Sequence, residues 1–94
     1  MNPRQRLEAA EQALRIADHM VAMEPARAVP WLSRSLALSV LTRYSEALVA
    51  VEQAIEIDPS DPDKWDLKVS ILRQLVRPRD ADSADRVAKN LRKQ

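Results

Sequence analysis

Few side chains in this sequence are able to carry out chemistry. His19 is the only histidine and cysteine is absent, so no second imidazole or thiolate can complete a metal site with it. Ser35 and Ser39 have no neighbouring base that would activate a hydroxyl as a nucleophile. These residue types predict a non-catalytic protein without a metal or cofactor, in which His19 is exposed and the two serines serve packing.

Three aspartates, Asp58, Asp61 and Asp63, resemble the ligand series of a calcium-binding loop only loosely. Such a loop needs a central glycine, but the chain contains no glycine, and Pro59 and Pro62 interrupt the segment. We therefore interpret these acids as helix-capping residues. The absence of glycine also excludes Gly-rich phosphate-binding loops.

The basic residues are concentrated at the C-terminal end. From Arg73 onward there are seven bases and three acids, whereas the stretch from Tyr44 to Asp66 has seven acids and one base. A basic end can contact nucleic acid, but no aromatic residue lies among these bases to stack on a nucleotide. We therefore expect a solvated helix end and no nucleic-acid partner.

The sequence contains neither a run of about 18 apolar residues, which a membrane span would need, nor an N-terminal signal-peptide pattern. With no cysteine available for disulfides, a reducing compartment is the simpler assumption. We therefore expect a cytoplasmic protein with no membrane span.

Composition and proline spacing predict an all-α chain of about five helices. Ala, Leu, Arg, Glu and Gln dominate and are strong helix formers, whereas aromatic residues make up only 3% of the chain. Asn2 and Asp61 precede prolines that suit the first helical position, so both are predicted N-caps. Short connections favour antiparallel packing of neighbours. The predicted helices span residues 3–23, 29–41, 45–57, 62–76 and 82–92.

A repeat period organises these helices. The interval from Trp31 to Trp65 is the same as the interval from Glu24-Pro25 to Asp58-Pro59. An internal period of this length, about 34 residues, indicates a helical repeat. Repeats of this kind usually build binding surfaces rather than catalytic pockets.

These residues resemble the tetratricopeptide repeat, a helix–turn–helix unit of about 34 residues. Residues 28–61 are similar to one complete repeat, with Trp31 where the family favours an aromatic residue and Ile57-Asp58-Pro59 as the closing signature. Residues 1–27 resemble the second helix of a partial first repeat, and residues 62–94 resemble a third repeat that ends in a capping helix. The resemblance implies a single domain whose antiparallel helix pairs stack as a short right-handed superhelix.

The sequence departs from the family pattern at two places. Arg34 and Lys68 lie where the family usually has a large aliphatic residue. The third repeat also needs about three extra residues before its second helix comes into register. We therefore expect a small insertion around residues 77–79.

The resemblance implies a concave groove, lined by the first helix of each pair, in which peptides or partner helices bind. An apolar wall with a polar rim at this place is a reasonable surface for a protein or peptide ligand of apolar or mixed character. The alternative is that the N-terminal helix or the core covers the wall. The predicted groove residues are Val29, Leu32, Leu36, Val40, Asp66, Ser70 and Arg73.

The first predicted helix carries two apolar stripes, which suits a helix with neighbours on two sides. The following helix supplies only one neighbour. Ile16, Met20 and Met23 on the second stripe, together with the apolar face of the second helix, therefore predict an alternative function, self-association into a homo-oligomer. The leading hypothesis is a non-catalytic adaptor or scaffold, and a third possibility is an accessory domain of a larger enzyme or secretion assembly.

Overall fold

The computed structural model describes residues 1–94 and contains five α-helices and no strand, so the all-α prediction is confirmed. Each helix packs against the next one along the chain, and a smaller contact joins the second helix to the fourth. The chain is therefore an arrangement of adjacent helix pairs. The helices are α1 (Pro3–Met23), α2 (Ala28–Val40), α3 (Tyr44–Ile57), α4 (Pro62–Gln74) and α5 (Pro78–Arg92).

Capping side chains determine where α1 and α4 begin. Asn2 Oδ1 accepts a hydrogen bond from the Gln5 amide at 2.8 Å, and the Asn2 amide donates to Gln5 Oε1 at 3.2 Å. These two bonds form a complete capping box. At the start of α4, Asp61 Oδ1 accepts from the Asp63 amide at 2.9 Å. Both predicted N-caps are confirmed.

Helix α5 begins at Pro78, four residues earlier than the predicted start at Asp82. Pro78 occupies the first helical turn, where its missing N–H leaves no hydrogen bond unmade and its ring fixes a helical φ. It lies one period after Tyr44, the first residue of α3. The period therefore continues through α5 without extra residues, and the predicted insertion around residues 77–79 is wrong.

The turns after α2 and α4 are equivalent. Thr42 and Val76 both adopt the left-handed conformation, with φ of 59° and 57°. After Thr42, the Arg43 amide donates to the Leu38 carbonyl at 2.9 Å, the hydrogen bond of a Schellman motif. Glycine usually occupies this left-handed position. Because the chain contains no glycine, Thr42 and Val76 adopt the conformation at a steric cost of about 1–2 kcal/mol each.

Small residues form the contact between α2 and α3. Ala47, Val51 and Ala54 of α3 are fully buried. Ser35 of α2 is buried too, and its hydroxyl donates to the Ala47 carbonyl at 2.7 Å. Ser39 Oγ donates to the Ser35 carbonyl at 2.9 Å. Both serines therefore satisfy their hydroxyl groups within the packed helices, as the packing prediction requires.

Trp31 ties α2 to the turn and the helix before it. Its Nε1 donates to the Pro25 carbonyl at 2.9 Å. The Arg34 guanidinium lies 5.7 Å from the centre of the Trp31 ring, and Arg34 Nε forms an ion pair with Asp18 of α1 at 3.0 Å. The charge at position 34 therefore links α2 to α1.

The same contacts recur one period later. Trp65 Nε1 donates to the Pro59 carbonyl at 2.9 Å. Lys68 Nζ lies 5.5 Å from the centre of the Trp65 ring and pairs with Glu52 of α3 at 3.3 Å. Arg34 and Lys68, which depart from the tetratricopeptide pattern, thus make equivalent contacts. Each joins its own helix, α2 or α4, to the helix before it.

Lys64 is a buried cation at the turn between α3 and α4. Its side chain is only 5% exposed, and Nζ lies 3.3 Å from Asp58 and 3.2 Å from Asp61. Hydrogen bonds from the Ser60 hydroxyl and amide, followed by Lys64, hold the pKa of Asp58 below its usual range. The Asp63 amide does the same for the pKa of Asp61, with a smaller contribution from Lys64. Asp61 caps α4, whereas Asp58 holds the turn and Asp63 pairs with Arg92, so the capping interpretation is confirmed for Asp61 alone.

We expect acid to weaken this turn. Because the folded pKa values of Asp58 and Asp61 are lowered, the stabilisation is complete above the unfolded Asp pKa of about 4 and is lost as pH falls through the lower folded values. Urea denaturation of the wild type and of Asp58→Asn/Asp61→Asn should show a stability difference that narrows below about pH 4. Asp82→Asn, at an exposed acid of α5, is the control. A difference that stays constant with pH would contradict this account.

We expect Val76→Gly to raise the free energy of unfolding by about 1 kcal/mol, because glycine adopts positive φ without steric cost. Val76 is 83% exposed, so the change removes little packing. Val49→Gly, at an exposed valine inside α3, is the matched control and should destabilise by about 0.5 kcal/mol. Urea denaturation measures both, and a lower stability of Val76→Gly would refute the strain at this turn.

Candidate functional site

The second apolar stripe of α1 is open to solvent. Ile16 is 66% exposed, Met23 is equally exposed, and Met20 is half-buried. Ala17 and Val21, on the first stripe, are buried. Helix α1 packs against α2 alone. The second neighbour that its two stripes predict is therefore not provided within residues 1–94.

The free face of α2 is also apolar and accessible. Val29, Leu36 and Val40 are all exposed. Leu32 is half-buried and packs against the hydrophobic core. The core therefore covers part of only one residue of the predicted apolar wall, and the other three remain accessible.

Two shallow depressions join these stripes. One, of about 420 Å³, is lined by Ala9 of α1 together with Leu36 and Val40 of α2. The other, of about 310 Å³, lies farther along α1, and Ala13 and Ser33 line both. The groove wall and the self-association stripe, which are alternatives in the sequence, are thus parts of one surface. We name it the α1/α2 surface, and its principal residues are Ala13, Ile16, Met20, Val29, Leu36 and Val40.

The charges that border the α1/α2 surface are positive. Arg6 lines one depression and Arg27 lines the other, and no acidic side chain lines either of them. Arg27 also pairs with Glu24 at 2.6 Å. Sequence reasoning did not single out the two arginines, since their positions relative to the apolar stripes depend on how α1 packs against α2. A ligand with acidic groups near its ends would complement this border.

The polar rim predicted on α4 is partly used within the chain. Asp66 accepts a hydrogen bond from Arg92 of α5 at 3.1 Å, and Arg92 also lies 3.4 Å from Asp63. Hydrogen bonding to Asp66 raises the pKa of Arg92 above its ordinary value. Ser70 and Arg73 are exposed. Asp66 therefore helps to hold the end of α5 against α4.

Neither similarity to known proteins nor any other group of side chains indicates a function for this chain. No protein-family model and no curated protein sequence matches this chain. No three His, Cys, Asp or Glu side chains are grouped so that they could hold a metal ion. His19 is exposed, as predicted. None of the five helices combines the length and the apolar character that crossing a membrane requires. The α1/α2 surface is therefore the feature on which we base a functional proposal.

We expect charges on the α1/α2 surface to leave the fold intact. Ile16→Glu and Leu36→Glu each place a carboxylate at the solvent boundary of a partly exposed site, so the free energy of unfolding should fall by no more than about 1 kcal/mol. Leu38→Glu buries the same charge on α2 and should cost more than about 4 kcal/mol or prevent folding. Circular dichroism with urea denaturation measures these effects. A loss above about 2 kcal/mol for Ile16→Glu would show that the stripe is needed for folding.

Proposed function

We propose that this protein is a non-catalytic adaptor of the tetratricopeptide type, which binds a protein or peptide through the α1/α2 surface. The supporting observation is that apolar side chains of two adjacent helices form one continuous, solvent-accessible surface. A clustered apolar patch bordered by charged side chains is typical of a protein-interaction site.

The repeated contacts support the assignment to this repeat type. The left-handed turn residues Thr42 and Val76 lie one period apart, as do Trp31 and Trp65 with their bonds to the preceding turns. In this proposal, α2 with α3 and α4 with α5 are complete repeats, and α1 is the second helix of a partial one. We further propose a cytoplasmic location, which the absence of cysteine favours.

The size of the surface sets the kind of ligand. The 13 residues of α2 rise by about 20 Å, so the accessible face suits a short segment of a partner and not a whole domain. Only a few apolar side chains lie on this face, so we expect reversible binding with Kd of about 1–100 µM.

A peptide library tests this function. The protein is immobilised and random peptides of about 16 residues are selected on it, followed by titration calorimetry of the enriched peptides. We expect enriched sequences to be apolar with acidic residues, because they must match the surface and its arginine border.

The variant Leu36→Glu/Val40→Glu should weaken binding of the enriched peptides by at least about tenfold. Val49→Glu, at an exposed apolar residue of α3, is the matched control and should have an effect below about twofold. If no peptide is enriched, or if the double variant binds as well as the wild type, the adaptor proposal is wrong.

A further inference from the structure

The second helix of each complete pair is covered by the first. Ala47, Ala50 and Ala54 of α3 are buried, and α2 packs on this helix with Ser35 bonded to the Ala47 carbonyl. In α5, which packs against α4, the buried residues one period later are Ala81, Ala84 and Ala88. The same three positions are therefore buried in both pairs.

Helix α1 has the same three positions without the cover. Ala13, Ile16 and Met20 lie one period before Ala47, Ala50 and Ala54. Ala13 and Ile16 are exposed and Met20 is only half-buried. A helix that lay on the α1/α2 surface would therefore have the same position relative to α1 that α2 has relative to α3 and that α4 has relative to α5.

The chain does not fill this position in the way that it fills the other two. Helix α3 begins at Tyr44, and the residue one period earlier is Ala10. Helix α1 instead begins at Pro3 and continues without interruption through Ala10. In this register, a turn at Ala10 would join α1 to a preceding helix, but α1 is continuous at that position.

We infer that the α1/α2 surface binds an amphipathic α-helix of another protein, which completes the first helix pair. The inference rests on the proposed adaptor function and names the class of ligand. The bound helix lies antiparallel to α1, as α2 does to α3, and its length is about that of α2, or three to four turns.

Side-chain volume predicts which residues the ligand helix presents. Ile16 and Met20 are larger than Ala50 and Ala54, the alanines at the same positions of α3. A helix that packs as closely on α1 must therefore place small residues opposite them, because extra volume at a close helix contact is destabilising. Acidic residues near its two ends would lie close to Arg6 and Arg27.

A second copy of this chain meets these requirements less well. In an antiparallel contact between two copies of α1, Arg6 of one copy approaches the end where Arg27 of the other lies. Arg27 is already paired with Glu24, and no acidic side chain lines the surface to pair with Arg6. An acidic helix of another protein supplies that partner, whereas a second copy does not.

A designed peptide tests the inference. The probe is a capped peptide of about 16 residues, rich in Ala and Glu, with one stripe of leucine, alanine and serine and with glutamates near both ends. Titration calorimetry gives its affinity, and ¹H–¹⁵N NMR gives its binding site and its helical state when bound.

We expect a Kd of about 1–100 µM, helix formation in the bound peptide, and shift changes confined to α1 and the free face of α2. Ile16→Glu should weaken binding by at least about tenfold. Val49→Glu is the matched control because Val49 and Ile16 are both 66% exposed, and it should have an effect below about twofold. Replacement of the terminal glutamates of the peptide by lysine should weaken binding by at least about fivefold.

Three results would overturn the inference. The first is no binding at about 1 mM probe, or shift changes located elsewhere. The second is equal binding of a peptide of similar composition that two central prolines keep from forming a helix. That result means an extended ligand, so the adaptor proposal would stand without the helix. The third is a dimer in sedimentation equilibrium at about 50 µM that Ile16→Glu converts to monomer, which would make a second copy the occupant.

Discussion

Close packing of paired helices through small side chains is the interaction on which this structure depends. Ala47 and Ala81 lie at equivalent positions and are almost completely buried, as are the other alanines of the same helix faces. Helix axes approach closely only where the side chains between them are small. A face of small residues is therefore shielded from water when another helix packs on it. Helix α2 covers α3 and α4 covers α5. The face of α1 at Ala13, Ile16 and Met20 stays accessible because no helix within residues 1–94 covers it.

The contacts of the tryptophans orient α2 without occupying its free face. At 100° per residue, Trp31 lies on the opposite side of α2 from Val40. Arg34 is the only charged residue of α2 and is paired with Asp18, so no charge lies on the free face. Ion pairs as exposed as this one contribute only about 0–1 kcal/mol, so their main effect is on how α2 sits against α1. In α4, by contrast, Ser70 replaces Leu36 on the equivalent face.

The parts of the fold that could be predicted from the sequence are those with local causes. The helices and the caps at Asn2 and Asp61 follow from periodicity and from side chains within three residues of the amide they bind. Pro78 was misread because a proline can either end a helix or begin one. The left-handed Val76 has no glycine signal. The apolar stripes on both helices could be predicted, but which of their residues line the shared depressions depends on how α1 packs against α2.

The two ends of the stack differ in what they gain from a partner. At the C-terminal end, Arg92 pairs with Asp63 and Asp66, and the outer face of α5 is charged and hydrated, so covering it would gain little. At the N-terminal end, burial of the part of Ile16 or Leu36 that is still exposed contributes about 0.8–2 kcal/mol for each side chain. Association costs at least about 4 kcal/mol of translational and rotational freedom, so several of these side chains must be buried together before a ligand binds. The gain therefore comes from the α1/α2 surface as a whole, in line with the reversible binding that we propose.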